Sequence, residues 1–103
     1  MKAIIQGKRY NTESATMIGD YSNGYGAGDF RSVDEALWKT PNGRYFLAGR
    51  GGPMTRYSSQ CGDMTGGGSK IIPLSDEEAY EWTELHCPVD VLEEHFGAIL
   101  SDA

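Results

Sequence analysis

The sequence predicts an α+β domain: a small antiparallel β-sheet with a short N-terminal helix and two C-terminal helices. An Asn-Gly turn at Asn42-Gly43 separates two runs of apolar and aromatic residues, which is typical of a β-hairpin. A capping box at residues 75–78 opens an amphipathic segment, which is typical of a helix. The 103 residues suffice for one modest core, so we expect residues 1–103 to form a single domain.

Strands are predicted in four places. Residues 2–10 have the pattern of two short strands joined by a tight turn. Residues 33–49 form the hairpin around Asn42-Gly43, which we expect at the centre of the sheet. Its period-two alternation places four side chains on one face: Ala36, Trp38, Phe46 and Ala48. Residues 54–59 are a candidate edge strand, and residues 70–74 form a short strand that Pro73 restricts to a sheet edge or a strand end.

Helices are predicted near both ends of the chain. Asn11 or Thr12 would cap a short helix that runs through Ile18. Ser75 would cap the first C-terminal helix, and a second is expected after Pro88. The residues expected to face the core are these: Ala79, Trp82, Leu85 and His86 in the first, and Val89, Leu92, Phe96 and Ile99 in the second.

The charges are divided along the chain. The first 70 residues hold all nine Lys and Arg residues and six acids, whereas residues 71–103 hold nine acids and neither Lys nor Arg. We expect the outer faces of the C-terminal helices to form one acidic surface for binding a partner: Asp76, Glu77, Tyr80, Glu81, Glu84, Asp90, Glu93 and Glu94. Such a surface repels nucleic acid and attracts basic protein surfaces. The alternative is an acidic face that only keeps the domain soluble.

Known catalytic and cofactor-binding patterns are not met. Residues 62–70 end in Gly-Ser-Lys rather than the Gly-Lys-Ser/Thr of a phosphate loop, and the glycines at 24, 26 and 28 do not follow an apolar strand. Both segments are expected to be turns. No paired nucleophile and base is evident, so we expect neither enzymatic activity nor a cofactor.

The cysteines and histidines do not have the spacing of a zinc site. Cys61, His86, Cys87 and His95 contain no C-x-x-C or H-x-x-x-H pair, so no metal is expected. His86 would instead stabilise a helix C-terminus as a cation. No apolar run reaches the roughly 20 residues needed to cross a bilayer, and the start is not a secretory signal. We therefore expect a cytoplasmic protein with free thiols and no membrane partner.

A second hypothesis concerns the basic residues. Arg44, Arg50 and Arg56, together with the Gly-rich loops, would form a small nucleic-acid- or anion-binding module. The opposing interpretation is that these arginines pair with acids of the same chain. The acidic pI of 4.7 also argues against direct contact with nucleic acid.

Four segments carry a resemblance that covers the chain to about Trp82: GKRYNTESA, YSNG, ALWKTPNGRYFLAGRGG and KIIPLSDEEAYEWTE. They resemble a group of small, mostly uncharacterised proteins of bacterial genomes, prophages and plasmids. This resemblance implies no catalytic residue. It implies a setting in which small acidic proteins often inhibit host defence, as anti-CRISPR proteins do. The leading hypothesis is therefore a non-catalytic inhibitor in the bacterial host cell, whose acidic surface covers a basic, nucleic-acid-binding site of a protein such as a CRISPR–Cas component.

Overall fold

A four-stranded antiparallel sheet lies between two unlike layers in the computed structural model, which describes residues 1–26, 28–62 and 64–103. Two helices pack on one face of the sheet, and a β-hairpin packs on the other. The elements follow in this order: β1 (Lys2–Ile5), β2 (Lys8–Asn11), β3 (Thr16–Ser22), β4 (Val33–Lys39), β5 (Tyr45–Gly51), β6 (Ser59–Cys61), β7 (Met64–Gly66), β8 (Gly68–Leu74), α1 (Asp76–His86), α2 (Val89–Phe96) and a 3₁₀ turn (Gly97–Ile99). The predicted α+β class, with antiparallel strands and C-terminal helices, is confirmed.

The predicted central hairpin is present. The strand order is β3-β4-β5-β8, so β4 and β5 occupy the middle of the sheet. Trp38 lies opposite Phe46 and Ala36 lies opposite Ala48, as the period-two pattern predicts. Gly43 supplies the positive φ of 85° that the turn requires. These four side chains face the β1–β2 hairpin, where Tyr10, Phe46 and Ile71 form a buried cluster.

The outer strands also agree with the sequence pattern. β1 and β2 pair through a turn in which Gln6 and Gly7 both have positive φ, 51° and 77°. β8 pairs with β5 on one side only, so Pro73 lies on an edge strand as predicted.

The predicted N-terminal helix is wrong, because the segment from Thr16 to Ser22 is strand β3. Asn11 does behave like a cap, since its side-chain oxygen accepts from the backbone N–H of Glu13 at 3.0 Å. Only one turn follows, however, closed by the Ala15 N–H on the Asn11 carbonyl. Ile18 then becomes buried by pairing with β4, and this tertiary contact outweighs a weak local helix preference.

The candidate edge strand at residues 54–59 is also wrong, since the strand in this region begins only at Ser59. The preceding residues form turns that Thr55 holds in place. Its hydroxyl donates to the Gly52 carbonyl at 2.8 Å and accepts from the Tyr57 N–H at 3.1 Å. A side chain that bonds its own neighbouring backbone competes with strand pairing.

The two C-terminal helices are confirmed, but part of each predicted inward stripe is wrong. In α1, Ala79, Trp82 and Thr83 are buried, whereas Leu85 is 77% exposed. At 100° per residue, Leu85 lies about 120° around the helix from Ala79, and Thr83 lies only about 40° from it.

In α2, Leu92 and Phe96 pack on the core as expected, but Val89 and Ile99 are exposed. Val89 lies within about 20° of Phe96 around the helix, but it is the first residue of α2, two turns away from Phe96, and the core does not extend to it. Ile99 belongs to the 3₁₀ turn after Gly97, where the α-helical period no longer applies. Among the described residues, neither helix has the length and apolar character that crossing a bilayer requires.

One buried carboxylate joins the helix layer to the sheet. Glu35 on β4 is only 7% exposed, and the indole N–H of Trp82 donates to its Oε2 at 2.6 Å. The Tyr57 hydroxyl donates to its Oε1 at 3.3 Å. Burial and the neighbouring charge of Glu35 raise the pKa of Tyr57, so this hydroxyl remains a donor. Three separate parts of the chain therefore meet at one carboxylate.

The close packing around the Glu35 carboxylate explains why residue 49 is a glycine. A Cβ at Gly49 would lie 2.6 Å from the Tyr57 hydroxyl oxygen and 2.7 Å from the Cβ of Glu35. Both distances are far below van der Waals contact, so β5 tolerates only glycine here.

We expect Glu35→Gln to lower the free energy of unfolding by about 2 kcal/mol, because it removes the charge from hydrogen bonds that a buried carboxylate accepts. The measurement is urea denaturation followed by Trp fluorescence. Asp34→Asn is the matched control. Asp34 is exposed and its Oδ2 lies 3.8 Å from Arg50 Nε, so its change should stay below about 0.5 kcal/mol. Equal losses in the two variants would contradict a special role for Glu35.

Candidate protein-binding surface

The helix layer presents a continuous row of carboxylates to solvent. Seven of the eight residues predicted for the partner-binding surface are exposed acids, and the eighth, Tyr80, is half-buried. Both helices pack on the same face of the sheet, so their outer faces point the same way. We name the six acids on the outermost line of the two helices the acidic ridge: Glu77, Glu81, Glu84, Asp90, Glu93 and Glu94.

Helix geometry sets the direction of the ridge. At 100° per residue, Glu77, Glu81 and Glu84 fall within an arc of about 60°, on the side of α1 opposite Ala79. The three acids of α2 fall within a similar arc of about 100° on the side opposite Leu92 and His95. The ridge therefore follows from the inward packing of the apolar residues. Neither helix contains Lys or Arg.

Tyr80 lies between the ridge and the α1–α2 junction. Its ring contacts Phe96 edge to face, with 5.7 Å between ring centroids. Its hydroxyl donates to Glu84 Oε2 at 2.7 Å, and this bond and the charge of Glu84 help raise the pKa of the Tyr80 hydroxyl. The structure thus holds an aromatic ring in one orientation among the acids.

A groove of about 340 Å³ opens beside Tyr80, where α1, α2 and β5 meet. Aromatic and aliphatic side chains and two acids are among its lining residues: Tyr45, Asp76, Glu77, Tyr80, His95, Phe96, Ala98 and Ile99. Sequence reasoning missed the contributions of Tyr45, His95 and Ala98. It correctly placed Phe96 in the core, where one part of the ring also lines the groove, and it wrongly placed Ile99 there. The groove is assembled from three elements, so no spacing within one of them reveals it.

Asp76 and Glu81 lie on different sides of α1. Asp76 lines the groove, whereas Glu81 lines a separate cavity of about 240 Å³ together with Arg56, Glu78 and Trp82. Arg56, from the loop after β5, therefore flanks the acidic surface. The sequence alone indicates no cation there, because residues 71–103 contain neither Lys nor Arg. Glu78 belongs to the confirmed capping box. Its carboxylate accepts a hydrogen bond from the Ser75 N–H, and this bond holds the pKa of Glu78 below its ordinary value, with a smaller effect from Arg56.

The alternative arginine patch is not assembled. Arg44, Arg50 and Arg56 line three different cavities. Arg50 Nε lies 3.8 Å from Asp34 on the neighbouring strand, and Arg56 lies beside the acids of α1. Two of the three arginines therefore have acidic neighbours in this chain, and Arg44 stands apart from them.

The Gly-rich segment at residues 62–70 is not the predicted turn, because β7 and β8 occupy most of it. A Cβ at Gly67 would lie 2.6 Å from the carbonyl oxygen of Gly51, so the link between β7 and β8 can approach the end of β5 only without a side chain here. Lys70 lies within strand β8 rather than at a helix start, and its Nζ donates to the Ser58 carbonyl at 3.2 Å. Ala27 and Asp63, which belong to the two Gly-rich segments, lie outside the described residues.

The candidate metal ligands whose side chains the structure describes, His86, Cys87 and His95, do not form a metal site. In the described part of the chain, no group of three or more His, Cys, Asp or Glu side chains is arranged to hold a metal ion. Cys87 is a free thiol whose pKa burial raises, which disfavours the nucleophilic thiolate. The side chain of Cys61 lies outside what the structure describes, so the expectations for it stay predictions.

His86 does not act as the helix-terminal cation that the sequence suggested. Its ring stacks on Tyr21 with 3.8 Å between centroids and meets the edge of Trp82 at 5.1 Å. Burial lowers the pKa of His86, so the imidazole is neutral at pH 7. A neutral ring packed between two aromatic rings contributes to the core rather than to the helix dipole.

This lowered pKa predicts a loss of stability on acidification. The unfolded chain binds the His86 proton near the ordinary pKa of 6.5, above the pKa in the folded state. The contribution is therefore complete above pH 6.5 and declines as the pH falls through the folded-state pKa. Urea denaturation at roughly pH 7.5 and 5.5 measures it. We expect His86→Phe to show a smaller loss than the unmodified chain and His95→Gln to retain the loss. An unchanged pH dependence in His86→Phe would contradict the assignment.

Comparison with known proteins does not assign a family. No protein-family model, curated protein or solved structure matches this chain. The resemblance to small proteins of bacterial mobile elements therefore stays a prediction.

Proposed function

We propose that this chain is a non-catalytic inhibitor that docks its acidic ridge onto a basic, nucleic-acid-binding surface of a bacterial defence protein, such as a CRISPR–Cas component. The observation that carries the proposal is the ridge itself, where six exposed carboxylates lie on two adjacent helices without Lys or Arg. Surfaces that serve only solubility usually intersperse both signs of charge. A predominantly acidic surface attracts an oppositely charged partner and accelerates its association.

The charge density of the ridge suits a site that normally holds nucleic acid. Glu77, Glu81 and Glu84 place one charge per roughly 5 Å along α1, given a rise of about 1.5 Å per residue. One DNA strand carries one charge per about 3.4 Å. The spacings are of the same order, and α2 adds a second line of three carboxylates. A basic cleft that binds phosphates would therefore meet a comparable row of anions.

Tyr80 and the groove provide an aromatic and apolar anchor, which the charges of the ridge cannot provide. Exposed ion pairs contribute little affinity individually, and tight interfaces depend on buried aromatic or apolar anchors. Tyr80 is held by Phe96 and Glu84, so binding would require little further ordering of its ring. In this proposal, the ridge orients the partner and the Tyr80 side of the groove provides the anchor.

We expect the triple reversal Glu77→Lys, Glu81→Lys and Glu84→Lys to abolish inhibition, because it replaces half of the ridge with cations. The assay is phage plaquing on bacteria with an active CRISPR–Cas system, across a panel of system types. Expression of the unmodified chain should restore plaques in at least one type. Binding of the purified chain to the effector of that type should weaken by more than about tenfold in the variant at low salt.

The matched control has the same change of net charge at three scattered exposed acids: Glu13→Lys, Asp20→Lys and Asp102→Lys. It should keep most of the inhibition. Equal loss in both triple variants would show that net charge, not the ridge, matters. Failure of the unmodified chain to protect phage from any system would contradict the CRISPR–Cas assignment. If a bacterial nucleic-acid-binding protein still associated through the ridge, the surface assignment alone would stand.

A further inference from the structure

A cavity of about 320 Å³ lies in the hairpin layer, on the side of the sheet opposite the acidic ridge. It opens between the β1–β2 turn and the turn that joins β4 to β5. Its lining is the following set: Gly7, Lys8, Arg9, Tyr10, Thr40, Pro41, Asn42 and Arg44. Its volume is at the lower end of the range of about 300–1,000 Å³ typical of small-molecule pockets.

Three of these residues are cations without acidic partners in the described part of the chain. Lys8, Arg9 and Arg44 are exposed, and none has a side-chain nitrogen within 4.0 Å of a described carboxylate oxygen. Arg44 is the member of the predicted arginine patch whose cavity has no acid in its lining, and the fold places Lys8 and Arg9 along the same cavity.

The strand register aims one of these cations at the cavity. Side chains alternate along β2, so Lys8 lies on the same side as Tyr10, whose ring packs against Phe46 with 5.5 Å between centroids. That side faces the sheet. Lys8 therefore approaches the cavity from the hairpin, while Arg44 approaches it from the central turn.

We propose that this cavity, the basic cleft, binds the terminal phosphate of a small phosphomonoester. A phosphomonoester carries close to two negative charges at pH 7 and has three acceptor oxygens on one end. Two converging cations, Lys8 and Arg44, match that charge, Arg9 adds a third positive charge at the rim, and arginine donors suit phosphate geometry. A phosphodiester within a nucleic acid chain has one charge per group and continues on both sides, which fits a small cavity between two turns less well.

The net charge of −6 does not prevent this binding. Stacked layers lie about 10 Å apart, so the acids of the helix layer lie roughly 10 Å or more from Arg44 in the sheet and farther from Lys8 in the hairpin layer. The Debye length is about 8 Å at physiological ionic strength. The cations of the cleft therefore dominate the local potential.

The test is an NMR titration of the ¹⁵N-labelled chain with two probes, inorganic phosphate and adenosine 5′-monophosphate. We expect saturable shifts concentrated at the amides of residues 7–10 and 40–44, with dissociation constants below roughly 10 mM. Similar affinities would identify the phosphate group alone as the ligand. Tighter binding of the nucleotide by about tenfold or more would identify a nucleotide site.

Two variants separate the cleft from general charge. The double variant Lys8→Gln and Arg44→Gln should weaken binding by at least about tenfold, since two charge-assisted contacts are lost. Lys2→Gln is the control, because Lys2 is a cation of the same hairpin that does not line the cavity. Two results would overturn the proposal: an absence of saturation, or equal weakening by Lys2→Gln. A single-stranded DNA without terminal phosphate that competes as well as the nucleotide would also overturn it, since the surface would then be a general polyanion site.

This inference does not depend on the proposed inhibitory function. The triple reversal on α1 leaves the cleft intact, so that variant should bind phosphate with unchanged affinity. Loss of inhibition and loss of phosphate binding are therefore separate outcomes.

Discussion

The carboxylate of Glu35 is the contact on which the arrangement of layers depends. It sits in the sheet, accepts the indole N–H of α1 and the hydroxyl of Tyr57, and is almost excluded from water. A buried charge is tolerated only when its hydrogen bonds are made, so α1 and the loop after β5 must both be in place. The position of α1 follows from this requirement, and with it the outward direction of Glu77, Glu81 and Glu84. The direction of the acidic ridge is therefore set by a residue that does not belong to it.

The division of charge along the chain becomes a division between layers. The acids of the C-terminal third are on the helix face of the sheet, and the cations of the N-terminal hairpin are on the other. The sheet between them is largely apolar on both faces, which keeps the two electrostatic regions apart. A chain with a net charge of −6 thus presents one strongly acidic surface and one local basic cleft. The two proposals assign different ligands to these surfaces.

Short sequence patterns correctly predicted the structural features that depend on only a few adjacent residues. The Asn42-Gly43 turn, the edge position of Pro73 and the capping box of Ser75 and Glu78 each follow from a few adjacent residues, and the structure contains all three. The segment after Asn11 was predicted incorrectly because its conformation depends on pairing with β4, about 20 residues away in the sequence. The strand predicted at residues 54–59 was wrong for the opposite reason. The side chain of Thr55 closes a local turn in a segment with strand-like composition.

The candidate surfaces divide in the same way. Helical periodicity predicted that the acids would be exposed, and this part needed no knowledge of the fold. The groove beside Tyr80 and the basic cleft each combine elements distant in sequence, and so does the approach of Arg56 to α1. Leu85 shows the limit within one helix, because the width of the buried stripe depends on how α1 tilts over the sheet. Charge pattern alone thus predicted which residues would be exposed but not which would meet.

Pro73 on strand β8 has a consequence for the behaviour of many copies together. An exposed sheet edge offers rows of free N–H and C=O groups on which strands from other molecules can assemble, and this is a common route to aggregation. Proline interrupts the row of donors along β8, so a foreign strand cannot pair along its full length. Small proteins that accumulate to high concentration face this hazard most. The same residue that ends the sheet within one molecule therefore also discourages its growth from one molecule to the next.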